Sequence, residues 1–241
     1  MEMELQISLE EMAKSLGAFY FGVADLSLTR GGSLTPYEER LTSKYPLAIS
    51  IGVPLSPEVV DSIEDQEDIP ALRNYWFHVY KMISPLIDHI TSRLTSVIMR
   101  EGYRALPIPC TQTLDANNFR GLFSNKMAAS LSGLGWIGKS CLLVTPNQGP
   151  RVRWGTILTD APLHPGRPVE VRCGECMVCV EACPADAFTG RNFEPSEPRE
   201  MRMHAGRCNE FFRERDRNIG SRVCGMCVYI CPFGKSRSRR S

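Results

Sequence analysis

Eight of the ten cysteines in this 241-residue chain gather near the C-terminus in two runs that each end in Cys-Pro. The first is Cys173-x2-Cys176-x2-Cys179-x3-Cys183-Pro184. The second is Cys208 followed by Cys224-x2-Cys227-x3-Cys231-Pro232. Thiolates two or three residues apart let one short loop fold around a cubane and offer sulfurs to different irons, so the chemistry implied is one-electron transfer through two [4Fe-4S] clusters. In such runs the cysteine before proline serves the other cluster. The expected sets are therefore Cys173, Cys176, Cys179 and Cys231 for one centre, and Cys183, Cys208, Cys224 and Cys227 for the other. Cys208 lies far upstream of its partners, and a helical insertion over 207–217 is expected to carry it.

Zinc and disulfides are the competing uses of cysteine. Two Cys-x2-Cys pairs would satisfy zinc, but zinc explains neither the third cysteine at the same spacing nor the following Cys-Pro. Disulfides need an oxidising compartment, and Met1-Glu2-Met3-Glu4-Leu5-Gln6 has neither the basic start nor the apolar run of a signal peptide. No apolar stretch approaches the roughly 20 residues that span a bilayer. A cytoplasmic protein without a membrane partner is expected. The net charge of +1 offers no global field for nucleic acid or anionic lipid. The basic tail from Lys235 through Arg237, Arg239 and Arg240 reads as a solvated terminus.

The elements that must position the cysteines occupy the residues before them. By the usual prior of about 100–200 residues per domain, the chain holds one sizeable domain and one small one, drawn at 1–165 and 166–241. Ser8-x-x-Glu11 signals a capped helix start that Gly17 would stop, and 19–26 reads as a strand. Thr35-Pro36-Tyr37-Glu38 opens another helix, and 47–53 is a buried strand. Residues 70–102 form a long amphipathic pattern that Pro85 should kink or split. Strands at 103–108, 142–145 and 152–159 flank a helix over 121–132, and Pro162, Pro165, Gly166 and Pro168 suggest a linker.

Gly133-Leu134-Gly135-Trp136-Ile137-Gly138 matches Gly-x-Gly-x-x-Gly, with Asp160 downstream. A dinucleotide fingerprint follows a strand and opens a helix, whereas here a helix precedes and a strand follows, so NAD is not expected. This loop with Lys139, then Leu142-Leu143-Val144, then Gly155-Thr156-Ile157-Leu158-Thr159-Asp160-Ala161-Pro162-Leu163, then the cysteine run, resembles epoxyqueuosine reductase and the related reductive dehalogenases over Met127 to Pro232. The resemblance implies an α+β fold, with a nitroreductase-like cobalamin-binding domain before a two-cluster ferredoxin-like domain. It also implies an oxidoreductase whose corrinoid lies on Gly133, Gly135, Trp136, Gly138 and Lys139. Glycines would admit a flat macrocycle, Trp136 would pack beside it, and Lys139 would meet its tail. A tight turn with Trp136 in the core and Lys139 solvated accounts for the same residues.

The chain departs from that family in three ways. The family's Asp-Ser pair upstream of the glycines falls on Phe119 by gapless counting and on Asp115 only with an insertion, so no catalytic acid is assigned. The family's C-terminal tRNA-associated repeats do not follow Cys231, so tRNA is not expected as a partner. No Asp-x-His-x-x-Gly motif offers an axial histidine, and His78, His89, His164 and His204 are isolated. Cys110 and Cys141 stand outside the cluster sets, and Cys141 reads as a small buried hydrophobe. A reductase fed by a ferredoxin or flavodoxin is the leading expectation. An electron-transfer protein or reductive activase serving a separate corrinoid protein is the alternative, and a flavin in the N-terminal domain a third.

Overall fold

The computed structural model describes residues 2–235, so the tail residues 236–241 lie outside the described residues. Its centre is a four-stranded sheet in the order β1-β2-β6-β3, with every pairing antiparallel: β1 (Tyr20–Asp25), β2 (Leu47–Pro54), β3 (Ala105–Ile108) and β6 (Val152–Thr159). Helices cover both faces, which is why 47–53 reads as an unbroken apolar run. Successive residues of β2 point to opposite cores. Ile49, Ile51 and Val53 join Ile157 against α1 (Glu2–Ser15) and α5 (Ser84–Arg100) through Leu9, Ile87, Ile90, Leu94 and Ile98. Ala48 and Leu158 turn the other way, onto Leu41 of α2 (Pro36–Lys44) and Ala128 of α6 (Asn125–Leu131). The chain is thus a mixed helix-and-sheet fold of the α+β kind.

Gly155 sets how closely α5 approaches the sheet, since a Cβ there would lie 2.4 Å from Cγ2 of Ile87 and 3.0 Å from that of Thr91. The capping box at Thr35 forms as expected, with Glu38 answering the Thr35 amide. Ser8 does not cap. The helix begins upstream at Glu2, because the Met-Glu-Met-Glu-Leu-Gln stretch is itself a run of good helix formers. Pro85 does not break the long helix either. Between α4 (Ile69–Trp76) and α5, residues Phe77–Ile83 widen into a π-helix, and Pro85 then falls in the first turn of α5, where its missing amide costs nothing. A further short helix, α3 (Pro57–Asp61), precedes α4.

The segment read as a linker is packed rather than loose. The Gly166 amide donates to the Val23 carbonyl at 2.8 Å, and a Cβ on Gly166 would lie 2.4 Å from the carbonyl oxygen of Ser132. The cysteine-rich segment shares a core with the first part of the chain, where Val223 and Tyr229 bury against Leu55, Val60, Ile63, Leu72 and Tyr75. Arg151, only 2% exposed, ties the two together by donating to Asp61 Oδ1 at 2.7 Å and to the Tyr229 carbonyl at 3.3 Å.

Replacing Gly155 with valine forces α5 off the sheet. The Gly155→Val protein is expected to lose about 1–3 kcal/mol of unfolding free energy, read as a lower urea midpoint at unchanged slope.

Candidate iron–sulfur centre and adjoining cavity

Both cysteine runs fold by the same local device. Cys173 and Cys224 are each followed by a glycine at positive φ, Gly174 at 49° and Gly225 at 84°, which reverses the chain immediately after the first sulfur. A one-turn helix then presents the middle cysteines: α7 (Val178–Glu181) holds Cys179, and α9 (Met226–Tyr229) holds Cys227. Cys208 sits in the first turns of α8 (Ala205–Ile219), so the expected helical insertion exists, longer at both ends than 207–217. The last helix, α10 (Pro232–Lys235), starts at the proline after Cys231.

All eight thiols are free and partly buried. Burial pushes the Cys179 thiol up to about 11, with further upward pressure from Cys231, Cys173 and Cys176. Burial also raises Cys231, with Cys173 and Cys176 adding to it. Cys208 is likewise pushed up to about 11 by burial and then by Cys224 and Cys183, and Cys227 is raised by burial and then by Cys224, Cys208 and Cys183, with the smallest contribution from Cys179. The largest mutual influences thus fall within two groups of four. Four thiols held together in poorly solvated surroundings resist ionisation unless a cationic centre accepts them. Among the described residues, no three His, Cys, Asp or Glu side chains converge as one metal ion requires, with each donor about 2.0–2.3 Å from it.

Beside the first quartet stands a small hairpin, β4 (Trp136–Ile137) paired with β5 (Leu143–Val144), and this is where the glycine loop lies. A Cβ on Gly135 would lie 2.3 Å from the Val144 carbonyl oxygen, and one on Gly133 2.4 Å from that of Arg167. A Cβ on Gly138 would lie 3.3 Å from the sulfur of Cys173. Trp136 is 1% exposed, and its indole Nε1 donates to Cys173 Sγ at 3.5 Å. Lys139 is 5% exposed and donates to Met177 Sδ at 3.5 Å. The glycines accommodate the protein's own backbone, and Lys139 is not solvated.

On the other side of the hairpin is a cavity of about 360 Å³. None of Gly133, Gly135, Trp136, Gly138 and Lys139 lines it. Its walls come from Ile137, Cys141 and Leu143 of the hairpin, Lys126 of α6, Cys110 after β3, and Arg153 and Trp154 of β6. Lys126 Nζ donates to the Cys141 carbonyl at 2.6 Å, and burial lowers the ammonium pKa. Arg153 donates to Thr111 Oγ1 at 2.6 Å and lies over the Tyr80 ring at 5.2 Å. Buried Asn125 Oδ1, Arg153 Nε and Trp154 Nε1, all on cavity-lining residues, have no hydrogen-bond partner among the described residues. The lining mixes apolar side chains with the charged Lys126, Arg153, Glu197 and Arg199, a character suited to an amphipathic ligand.

Phe119 also lines this cavity, at a positive φ of 52°. Asp115 does not: its carboxylate accepts the amides of Asn117 and Asn118 and the Asn118 side chain, which hold it below the usual carboxylate range. It is spent on its own loop. Asp160 is likewise structural, accepting the amide and Nε of Arg104. Sequence reading missed Lys126, Arg153 and Trp154. The one available signal was Lys126 itself, a lone cation in an otherwise small and apolar helix after the Ser124 cap.

A family described as the 4Fe-4S double cluster binding domain matches residues 172–234. The C-terminal segment is a double [4Fe-4S] cluster domain. Its context is also that of the resembled family. Epoxyqueuosine reductase of Bacillus anthracis is 31% identical over 119 residues, 48% of this chain and 30% of that protein, and the Bacillus subtilis enzyme is 30% identical over 127 residues. The chain therefore spans about 30% of the length of the curated relatives it matches. An epoxyqueuosine reductase solved with a modified tRNA stem loop superposes with a TM-score of 0.66 at 21% identity, covering 98% of this chain and 67% of the other. A catabolic reductive dehalogenase in complex with 3-bromo-4-hydroxybenzoic acid gives 0.67 at 18% identity, covering 94% of this chain and 31% of that one. Because one of these relatives carries a tRNA stem loop, the expectation against tRNA is withdrawn. Among the described residues, no helix is long and apolar enough to cross a membrane.

Burial lowers the Lys126 pKa in the folded state, so unfolding takes up a proton at pH between that lowered value and the unfolded value near 10.5. Wild-type protein is therefore expected to gain stability relative to Lys126→Met as pH rises through that window, and chemical denaturation of the pair at stepped pH reads the difference.

Proposed function

We propose that this chain is an iron–sulfur oxidoreductase in which reducing equivalents enter through the double-cluster domain and are used on a group held in the adjoining cavity. The observation that carries the reading is that one two-stranded hairpin is at once the cavity wall, through Ile137, Cys141 and Leu143, and the neighbour of Cys173, through Gly138 and Trp136. The ligand sets are Cys173, Cys176, Cys179 and Cys231, and Cys183, Cys208, Cys224 and Cys227. Their grouping by mutual charge supports this partition. The domain division at 165/166, a nitroreductase-like first domain, a cytoplasmic location and a ferredoxin or flavodoxin donor belong to the same proposal.

A corrinoid is the cavity ligand this reading favours, and when bound it supplies a cobalt centre that is strongly nucleophilic once reduced. The chain's own contribution is to bind and orient. Ile108, Ile137, Leu143 and Trp154 give apolar wall, while Lys126, Arg153 and Asn125 are the polar residues placed to meet the ligand. Given the tRNA-bound relative, a modified nucleoside in RNA is a substrate class to test alongside small organohalides.

A second reading keeps the clusters and dispenses with a corrinoid of its own, as in an electron-transfer protein or activase docking a corrinoid partner. It is favoured by the placement of the glycine loop, which packs on the protein itself.

Anaerobic reconstitution separates these readings. Cys173→Ser and Cys224→Ser are each expected to keep about half of the wild-type cluster iron, because each disables one cubane and leaves the other's four thiolates intact. Titration of reconstituted protein with cob(II)alamin should give a bound, base-off EPR spectrum, and Lys126→Ala should weaken that binding about tenfold. Cobalamin left free by protein with both clusters would establish the carrier reading.

A further inference from the structure

Among the described residues, one side-chain N–H bonds a sulfur of the cysteine runs: the indole of Trp136, to Cys173. The sulfurs of the other quartet take their donors from the backbone. The Ala187 amide donates to Cys183 at 3.4 Å and the Met226 amide to Cys224 at 3.5 Å. Main-chain donors come with the loop fold whatever the sequence. An indole donor is a choice of residue.

The indole is also clamped by residues next to the ligands it serves. Phe233, two residues after Cys231, meets the ring edge to face at 4.9 Å between centroids, and Arg172, immediately before Cys173, lies over it at 5.9 Å. A guanidinium over the ring draws π density away and makes the N–H a stronger donor. From the same hairpin, buried Lys139 reaches Met177, inside the first cysteine run, so both polar groups of the hairpin point at one cysteine loop.

We propose that Trp136 is a positioning residue that sets the reduction potential of the cluster held by Cys173, Cys176, Cys179 and Cys231. It acts by donating its indole N–H to the Cys173 sulfur from the wall of the cavity. The inference rests on the cluster reading above. Reduction adds one electron to the cluster and with it negative charge on the ligand sulfurs; a donor to sulfur stabilises the reduced form more than the oxidised form and raises the potential. The result is that the cluster beside the cavity accepts an electron more readily than it would without the indole.

The test is an EPR-monitored redox titration of reconstituted wild-type and Trp136→Phe protein. Phenylalanine keeps a ring against Phe233 and Arg172 and removes the donor together with the indole's second ring. The expected result is equal iron and sulfide in both proteins, with one midpoint moved to lower potential in the variant and the other unmoved. Equal cluster content with both midpoints unchanged overturns the proposal. Should the variant fail to assemble clusters, reduced wild-type protein grown with 15N-indole tryptophan decides instead. A nitrogen hyperfine coupling to a cluster supports the bond, and its absence overturns the proposal. Wild-type protein that takes up iron and sulfide for no cluster at all would overturn the underlying cluster reading, a result distinct from either.

Discussion

Backbone meets backbone where the Trp136–Val144 hairpin presses onto its surroundings, and the arrangement of the rest of the molecule around the site follows from that contact. At Gly133 and Gly135 a single added carbon would stand within 2.4 Å of a carbonyl oxygen. The Gly133 contact fixes the approach to the hairpin against the segment carrying Arg167, and the Gly135 contact closes the hairpin on its own second strand, with no side chain between them to give way. The cavity and the first cysteine quartet are thereby held on two sides of one thin partition. A looser partition would separate them by at least a layer of side chains, and one-electron transfer falls off steeply with distance.

The sheet supplies the rigidity that such a partition needs. Buried on both faces, β2 and β6 cannot shift without disturbing two cores, and β6 carries Arg153 and Trp154, with Arg151 just before its first residue. The two arginines have different tasks. Arg153 faces the cavity side by way of Thr111 and Tyr80, while Arg151 crosses to Asp61 and the Tyr229 carbonyl. Two residues of β6 and the arginine just before it thus bind the cavity to the sheet and the sheet to the cluster domain.

What the sequence made legible was local. Cysteine spacing implied the two quartets because the ligand geometry of a cubane is written over a few residues, and the helix carrying Cys208 was expected for the same reason. The apolar run at 47–53 announced a doubly buried strand. The glycine loop shows the limit: its letters were plain, but the partner of Gly133 is Arg167 and that of Gly135 is Val144, and no periodicity encodes which backbone a glycine will meet. Pro85 was read by its usual effect on an α-helix, and the π-helical turn before it absorbed that effect. The polar atoms of the cavity were invisible because they belong to residues spread from Cys110 to Trp154, which only the antiparallel pairing of β3 with β6 gathers.

One feature of the cavity rim bears on traffic. Arg120 pairs with Glu200 at 3.0 Å, and Arg199 donates to the Asn118 and Phe119 carbonyls, so the segment carrying Phe119 is fastened to the cluster segment by one ion pair and two charged hydrogen bonds near the surface. Pairs of that kind hold position while contributing about 0–1 kcal/mol each. The rim is in this sense a latch and not a weld. The partition behind it stays fixed while the mouth can part at little energetic cost, so a molecule too large for the resting opening can be admitted without loosening the electron path.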